Sequence, residues 1–311
     1  MFDTISVGSA TLDIFLRSAQ FQVQENFQGD FPGLCMPYGS KINVDDFALQ
    51  SGGGGTNTAV AFARLGLRSA VVAEIGTDIP AQLIRQELEQ ERVDVSLLVQ
   101  EPDERTAISA LLIGKDGDRS AITARGAARL LTITDMQFSK MVSNWMHLSS
   151  IGNTELILAL AQHCKNQRIR FSWNPGGSEL EAMAKGELHP TEVYPSIFFV
   201  NQEEAELLVK AGYELESLGS TVIITKAAEG GRYFENDTWH EFTALPAKMV
   251  QATGAGDAFA AGVIAGCLHD RRTSESIEWG KANSASVIQN MGAKTGLRRD
   301  LMSLKNTSSK S

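Results

Sequence analysis

The sequence is poor in the features that mark secreted and membrane-spanning proteins. Its only cysteines are Cys35, Cys164 and Cys267, and their spacing matches neither a disulfide framework nor a zinc site. No apolar run approaches the ~20 residues needed to cross a bilayer, and the N-terminus lacks the basic-then-apolar pattern of a secretion signal. We therefore expect a cytoplasmic protein with reduced thiols and no membrane partner.

The sequence also lacks clusters of basic residues, and acidic residues outnumber basic ones. The formal net charge is −9, and the longest basic clusters are the pairs Arg271-Arg272 and Arg298-Arg299. Without a basic stripe, a nucleic acid is not an expected partner. The electrostatic field of this negatively charged protein also repels phosphate groups. A phosphate-bearing ligand would therefore have to be held by local backbone dipoles and a metal ion.

Two common nucleotide-binding motifs are missing. The sequence has no Gly-x-x-x-x-Gly-Lys-Ser/Thr loop, which excludes a Walker-type site. Its first strand does not lead into Gly-x-Gly-x-x-Gly, which counts against a dinucleotide enzyme.

Apolar segments and turn residues alternate regularly over most of the chain. Strands are predicted at 4–7, 71–75, 145–148, 170–173, 197–200 and 221–225, and helices at 56–65, 80–90, 154–166, 202–211, 257–268 and 273–289. This alternation predicts an α/β fold with a doubly wound, mostly parallel sheet and helices on both faces. We expect a single α/β domain over 1–300 and a polar tail at 301–311.

Two segments depart from the layered pattern and predict a small β lid. Glycine and proline interrupt the region 14–50, which alternates between apolar and polar residues around 42–47. The region 104–124 reads as a hairpin with a turn at Lys115-Asp116-Gly117-Asp118. Both are expected to form a flap outside the core.

The segment Thr253-Gly254-Ala255-Gly256-Asp257 is the best candidate for a reactive site. Small residues at 254–256 allow successive backbone N–H groups to point into one concavity, and the helix that follows adds the positive end of its dipole. Such a nest suits a phosphoryl group in transfer. For Asp257 the residues leave two roles open: capping and dipole compensation, or acceptance of a proton from an attacking hydroxyl.

Residues 253–259 resemble the C-terminal signature of the ribokinase/PfkB family of carbohydrate and nucleoside kinases. The glycine-rich segment 52–66 is similar to its N-terminal signature, and the resemblance covers nearly the whole chain. It implies a ribokinase-like fold and ATP-dependent phosphorylation of a hydroxyl on a small sugar. A nucleoside (adenosine-like) acceptor is the alternative, and an inactive sugar- or nucleotide-binding regulator is a third possibility.

The resemblance also implies roles for single residues. It makes Asp257 the catalytic base, beside an anion hole of Gly254, Ala255 and Gly256. The implied substrate-binding residues are Asp13, Gly53, Gly54 and Asn57. The implied nucleotide-binding residues are Asn201, Glu204, Thr225, Gly230 and Asn283, of which Asn201 and Glu204 would organise Mg²⁺ through water.

The hydrogen-bonding and metal-binding properties of these side chains are compatible with the implied roles, but they also allow structural roles. A carboxylate such as Asp13 suits vicinal hydroxyls, because it accepts two hydrogen bonds. Mg²⁺ keeps several waters, so the sparse pair Asn201 and Glu204 is adequate. Structural roles stay open, since Asp13 also fits a turn, Asn57 a helix cap, and Glu204 a complement to the helix dipole.

The chain departs from the family pattern at three positions. Gln251 stands where the family commonly has an Asp that helps to ligate potassium, which argues against activation by a monovalent cation. Ala227 replaces the first Gly of a turn that borders the ATP. Gly54 stands where some phosphosugar kinases have Lys, which argues against a sugar phosphate as acceptor. Because lids of this family often pair between subunits, a homodimer through the lid is expected.

Overall fold

Strands and helices alternate along the chain in the computed structural model, which describes residues 1–28, 31–114 and 119–300. In chain order the strands are β1 (Phe2–Val7), β2 (Thr11–Arg17), β3 (Gln22–Gln28), β4 (Phe31–Cys35), β5 (Asp46–Gly52), β6 (Ser69–Val72), β7 (Glu74–Ile75), β8 (Val99–Gln100), β9 (Ala107–Ile113), β10 (Arg119–Ala124), β11 (Ser143–Leu148), β12 (Arg170–Trp173), β13 (Ile197–Asn201), β14 (Thr221–Thr225), β15 (Gly231–Glu235) and β16 (Thr238–Phe242). The α-helices are α1 (Gly54–Arg64), α2 (Ile79–Gln90), α3 (Thr154–Gln167), α4 (Gly177–Ala184), α5 (Pro190–Val193), α6 (Gln202–Lys210), α7 (Ala255–Leu268) and α8 (Thr273–Val287). Within this described part of the chain, no helix combines the length and hydrophobicity of a transmembrane segment.

The central sheet has eight strands in the order β16-β15-β14-β13-β12-β11-β1-β6. The strands from β14 to β6 are parallel, and β15 and β16 extend the sheet as an antiparallel hairpin. Strands β6 and β14 are buried along nearly their whole length, which is typical of parallel strands covered on both faces. The single strand predicted at 71–75 is wrong in one detail, because it divides at Ala73 into β6 and β7.

Each face of the central sheet has its own apolar core. Phe198 and Val200 of β13 belong to the core that includes α3 and α6, whereas Ile197 and Phe199 belong to the core that includes α1 and α7. This alternation follows from the opposite directions of successive side chains in a strand. The predicted doubly wound α/β fold with helices on both faces is confirmed.

A second sheet has four strands in the order β10-β9-β2-β5. Strand β2 pairs in parallel with β9 and antiparallel with β5, and β10 pairs antiparallel with β9. Its strands come from both regions predicted to form the lid, and β3 and β4 form a separate hairpin. The predicted turn at 115–118 and the tail at 301–311 lie outside the described residues, and the domain bounds stay a prediction.

The carboxyl ends of the parallel strands bring distant segments together. Gly8, directly after β1, packs against Gly55 of α1 and against Ser149 after β11. At the same edge, Asn201 at the end of β13 lies opposite Thr225 at the end of β14. Ligands of open α/β sheets bind at this edge, so we expect the site to lie there.

Candidate active site

Asp257 lies in the first turn of α7 and is bound to a residue of the other sequence signature. The Asn57 side-chain amide donates to Asp257 Oδ2 at 2.8 Å, and no described residue donates to Oδ1. Burial raises the pKa of Asp257, while the hydrogen bond from Asn57 and the charge of Lys294 oppose this shift. A half-buried carboxylate with one unbonded oxygen and a raised pKa is suited to accept a proton.

The structure corrects the predicted start of α7. The helix begins at Ala255 rather than at Asp257, and its N-cap is Gly254 in the left-handed region, with φ 77°. A Cβ at Gly254 would lie 2.5 Å from Cβ of Ala293, so the position requires glycine. Asp257 is therefore not the cap residue, and of the two structural roles left open only dipole compensation remains.

The backbone amides at this helix start are only partly free. Ala255 N donates to Ala252 O at 3.2 Å, so this amide already has an acceptor within the protein, and the contribution of Ala255 to an anion hole stays a prediction. Among the described residues, no acceptor takes up the amides of Gly254, Gly256 and Asp257. Gly256 is exposed, and a Cβ there would meet open space. An anion can approach the nest from the Gly256 side.

Several buried polar atoms around Asp257 have no partner within the described residues: Asn57 Oδ1, Ser149 Oγ and Thr253 Oγ1. A Cβ added to Gly54 would lie 2.7 Å from Ser149 Oγ and 3.6 Å from Asp257 Oδ1, so these groups line the same space. A buried polar atom left unpaired costs about 1–3 kcal/mol, which a bound ligand recovers. The unpaired atoms therefore make the space beside Asp257 a candidate binding site.

Asp13 lies in β2, in register with Gln50 of β5 and Ser109 of β9. The alternative turn role is therefore excluded. Its side chain is 8% exposed, and burial raises the pKa of Asp13 to about 6. Lys294 and a hydrogen bond with Ser109 act in the opposite direction. This carboxylate is held in a costly environment next to the start of α1, as expected of a ligand-binding group.

The glycine-rich turn between β5 and α1 packs closely against the segments that follow β1 and β11. Gly53 is the N-cap of α1 with φ 90°, and Asn57 lies one turn into the helix. A Cβ at Gly54 would lie 2.6 Å from Cβ of Ser149. The structure therefore has no room for a lysine at Gly54, in line with the expectation against a sugar phosphate.

Asn201 and Glu204 form a reciprocal cap at the start of α6. Glu204 N donates to Asn201 Oδ1 at 2.9 Å, and Asn201 N donates to Glu204 Oε2 at 2.8 Å. Burial is the main cause of the raised pKa of Glu204. The carboxylate keeps one oxygen free, and no cluster of three or more His, Cys, Asp or Glu able to hold a metal occurs among the described residues. This sparse donor set fits magnesium held through water.

The turn after β14 forms although Ala227 replaces the usual glycine. Lys226 N donates to Gly230 O at 2.7 Å, and Gly230 N donates to Ala227 O at 3.3 Å. Ala227 takes the left-handed conformation, with φ 47°. Thr225 and Gly230 thus flank a closed turn at the edge where the nucleotide is expected.

We expect Ala227→Gly to raise the free energy of unfolding by about 0.5–1 kcal/mol. A left-handed conformation costs an L-residue roughly 1–2 kcal/mol, and the greater flexibility of glycine in the unfolded chain offsets about half of the gain. Urea unfolding measures the difference. The matched control is Ala228→Gly, at a position with an ordinary φ, which should lower stability instead. A stabilising Ala228→Gly or a destabilising Ala227→Gly would contradict the assigned strain.

Asn283 does not reach the site surface in this structure. Its side chain is fully buried in α8, where Nδ2 donates to Ala258 O at 2.8 Å and Oδ1 accepts from Arg298 N at 3.1 Å. Both polar atoms of this side chain are thus occupied within the protein, and the nucleotide-binding role implied for Asn283 stays a prediction. Asn283 instead ties α8 to α7 and to the segment that follows α8.

Gln251 is buried beside the nest. Its Oε1 accepts from Gly292 N at 2.7 Å, and its Nε2 has no partner within the described residues. The side chain is neutral, and its oxygen already has one donor. The expectation against monovalent-cation activation stays a prediction that agrees with this geometry.

Two residues near the site were missed from the sequence, Ser149 and Lys294. Lys294 is 2% exposed, and its ammonium group donates to Ser51 O at 2.6 Å and to Thr56 Oγ1 at 2.9 Å. A polar residue directly after a strand was the available signal for Ser149. For Lys294 the signal was a lone lysine in a segment of small residues.

The chain is similar to known kinases along almost its whole length. The model of the pfkB family of carbohydrate kinases matches residues 7–299. A ribokinase of Lactococcus lactis is 27% identical over 264 residues, which cover 83% of this chain and 86% of that protein. The structure of a nucleoside kinase of Burkholderia thailandensis in complex with inosine has a TM-score of 0.78 at 18% identity, with 95% of each chain covered. A ribokinase of Cryptococcus neoformans in complex with ADP has a TM-score of 0.74 at 19% identity, over 95% of this chain and 96% of that one.

The ribokinase-like fold and the family match define the protein as a kinase, a phosphotransferase. The chain belongs to the pfkB family of carbohydrate kinases. The family, fold and enzyme class predicted from the two sequence signatures are confirmed. The roles of the individual residues stay predictions.

Proposed function

We propose that the protein transfers the γ-phosphoryl group of ATP to a hydroxyl of a small sugar, with Asp257 as the catalytic base. The observation that carries this proposal is the 2.8 Å bond between Asn57 and Asp257, which joins the two signature segments beside the unpaired amides of Gly254 and Gly256. The pairing places a proton acceptor next to an anion-binding nest, as hydroxyl phosphorylation requires. The ribokinase that was solved with ADP supports an adenine nucleotide as the phosphoryl donor.

In the proposed step, the acceptor hydroxyl oxygen attacks the γ-phosphorus in line. The new O–P bond forms while the bond to the β–γ bridging oxygen breaks, and ADP leaves with that electron pair. Asp257 takes the hydroxyl proton, and the open amides hold the oxygens of the moving phosphoryl group. Thr225 and Gly230 border the nucleotide in this proposal. Asp13, Gly53, Gly54 and Asn57 hold the acceptor.

Asn201 and Glu204 would hold a magnesium ion through water. When bound, the ion supplies positive charge that neutralises the phosphate oxygens of the nucleotide. The reciprocal cap fixes both side chains and leaves Glu204 Oε1 free to face water. The protein's part is therefore to orient one carboxylate rather than to enclose the ion.

A free sugar is the preferred acceptor because the substrate side of the site is polar. Asp13, Gln50 and Ser109 lie in one row of the second sheet, and Thr123 continues it through a 3.2 Å bond to Ser109. A nucleoside would need an aromatic or apolar wall for its base, for which the sequence offers Phe15, Phe21 and the segment 27–47, and the rings of Phe15 and Phe21 are buried. A nucleoside stays the alternative, supported by the fold neighbour with inosine. The intact Asp257 argues against an inactive regulator.

We also propose that the second sheet is the lid of a single domain and that a homodimer forms through it. Phe47, Leu49 and Ile122 share one face of this sheet and are 64%, 52% and 63% exposed. An apolar face of this kind favours a protein partner. Closure of the lid would exclude water, which competes as the acceptor.

Free thiols and the use of ATP support a cytoplasmic location.

An acceptor screen tests the proposed function. ADP release is measured with MgATP across a panel of free sugars and nucleosides, with Asp257→Asn as the blank. We expect the highest kcat/KM with a free sugar. Preference for a nucleoside would establish the alternative acceptor. ATP consumption equal to the blank with every acceptor would favour the inactive regulator.

A further inference from the structure

Lys294 places a buried ammonium group behind the substrate side of the site. Its hydrogen bonds go to Ser51 O at 2.6 Å, to Ser51 Oγ and to Thr56 Oγ1 at 2.9 Å. All three ammonium protons therefore have acceptors, which an ammonium group in such a dry position requires. Glu87 Oε1 of α2 completes the surroundings at 3.6 Å.

Ser51 is the point at which the second sheet joins the core. It precedes Gly52 at the end of β5, and the glycine-rich turn into α1 follows directly. Its amide donates to Glu87 Oε2 at 2.6 Å, while its carbonyl and hydroxyl face Lys294. Thr56 Oγ1, which accepts from Lys294, donates in turn to Gly52 O at 2.7 Å. The ammonium group thus closes a ring of bonds around the turn that carries Gly53 and Gly54.

The backbone of Lys294 is itself anchored. Its carbonyl accepts from Arg64 Nη1, and the same guanidinium binds Glu91 through Nε at 2.9 Å and Nη2 at 2.7 Å. The Lys294 side chain therefore projects from an anchored backbone. A fully hydrogen-bonded cation in this position can hold the turn between β5 and α1 in place.

We propose that Lys294 is a positioning residue that locks the junction of β5 and α1 and so fixes Gly53, Gly54 and Asn57 in their binding geometry. This inference rests on the proposed function, because that function makes those residues the acceptor site. Lys294 does not touch the acceptor. It acts through Ser51 and Thr56.

The charge of Lys294 acts on both carboxylates of the site. It lowers the pKa of Asp13 and of Asp257, against the effect of burial on each. Facing it are Glu87 from α2, Asp13 from β2, Asp257 from α7 and Arg64 from α1. Burial lowers the pKa of Lys294 to about 8, against the attraction of Glu87 and Asp13. The ammonium group is therefore charged below about pH 8 and loses its proton above that pH.

Three variants and one control test the role: Lys294→Met, Lys294→Arg, Ser51→Ala and Lys281→Met. Lys281 is a matched control, because it is also a buried lysine paired with a glutamate, 2.7 Å from Glu278. The readouts are the acceptor KM, kcat, the pH profile of kcat/KM and amide hydrogen exchange over residues 51–57. A merely structural lysine would not move the pH profile.

Lys294→Met should raise the acceptor KM by at least about tenfold, as expected for the loss of a charged hydrogen bond. The acid limb of kcat/KM should move to higher pH, because Asp13 and Asp257 lose a neighbouring cation. Lys294→Arg should keep the acid limb and lose the basic limb near pH 8, since arginine stays charged. Ser51→Ala, which opens little space, should raise KM by about two- to tenfold. Lys281→Met should match the wild type.

An unchanged KM and pH profile in Lys294→Met would overturn the inference. If that variant does not fold, an unchanged KM in Ser51→Ala has the same meaning. If the wild type phosphorylates no acceptor, the proposed function fails. Amide hydrogen exchange still tests whether Lys294 locks the junction of β5 and α1. Exchange over 51–57 should then be about tenfold faster in Ser51→Ala than in Lys281→Met, and equal rates would overturn it.

Discussion

Replacing Asp257 by Asn should lower kcat by about 10²–10⁴-fold, the usual contribution of a positioned base. An amide keeps the size of the side chain and an oxygen that can accept from Asn57, so the first turn of α7 should stay in place. It cannot take the proton of the acceptor hydroxyl. The acceptor KM should stay within about twofold, because Asp257 acts on the transition state. Steady-state kinetics with the acceptor found in the screen measure both quantities.

Asp270→Asn is the matched control for this substitution. Asp270 lies just beyond the other end of α7 and is exposed, with φ 56°, a conformation that asparagine tolerates. Its kcat should equal that of the wild type. Asp257→Asn with near-normal turnover would remove Asp257 from the mechanism. A parallel loss in both variants would point to a general defect in α7.

Replacing Asp13 by Asn should raise the acceptor KM by roughly 10- to 100-fold with a much smaller effect on kcat. A carboxylate accepts two charged hydrogen bonds from vicinal hydroxyls, and each such bond is worth about 1.5–3 kcal/mol. For the wild type, kcat/KM should fall as the pH drops through about 6, because Asp13 then takes up a proton. A KM within twofold of the wild type would place the acceptor elsewhere.

The same substitution should increase stability at neutral pH, by up to about 3 kcal/mol. Folding raises the pKa of Asp13 from 3.8 to about 6, so the folded chain binds this proton more tightly than the unfolded chain. The carboxylate therefore opposes folding above pH 6, and its cost disappears as the pH falls towards 4. Asp3→Asn should have the opposite sign, because the hydrogen bond from Arg68 lowers the pKa of Asp3. Thermal unfolding at pH 7 compares the two, and a destabilised Asp13→Asn would show that burial does not strain this carboxylate.

Local patterns were sufficient to predict the layered core. Strands such as β12 and β14 were predicted with their observed bounds, because a short apolar run between turn residues fixes a buried strand locally. The start of β2 at residues 11–13 was not predicted as a strand, and a turn was left open for Asp13. Its pairing with β5 and β9 comes from distant parts of the chain.

The candidate site was predictable only where residues act through a motif. Asp257 and Asn57 stand in the two signatures, and the structure brings them together. The bond that takes up the Ala255 amide and the burial of Asn283 depend on turn geometry and on helix packing, which residue types do not encode. Lys294 was missed for the same reason, since its partners Ser51 and Glu87 are far away in sequence.

The most direct test follows the γ-phosphoryl group itself. The wild type and Asp257→Asn are mixed with ATP labelled in the γ-phosphate, the preferred acceptor and magnesium, and a single turnover is quenched at intervals. Direct transfer beside a proton-accepting Asp257 predicts that label enters the acceptor as fast as ADP forms, that none stays on the protein, and that the variant slows both products equally. Label on the protein or in free phosphate, or equal rates for the two proteins, would contradict it.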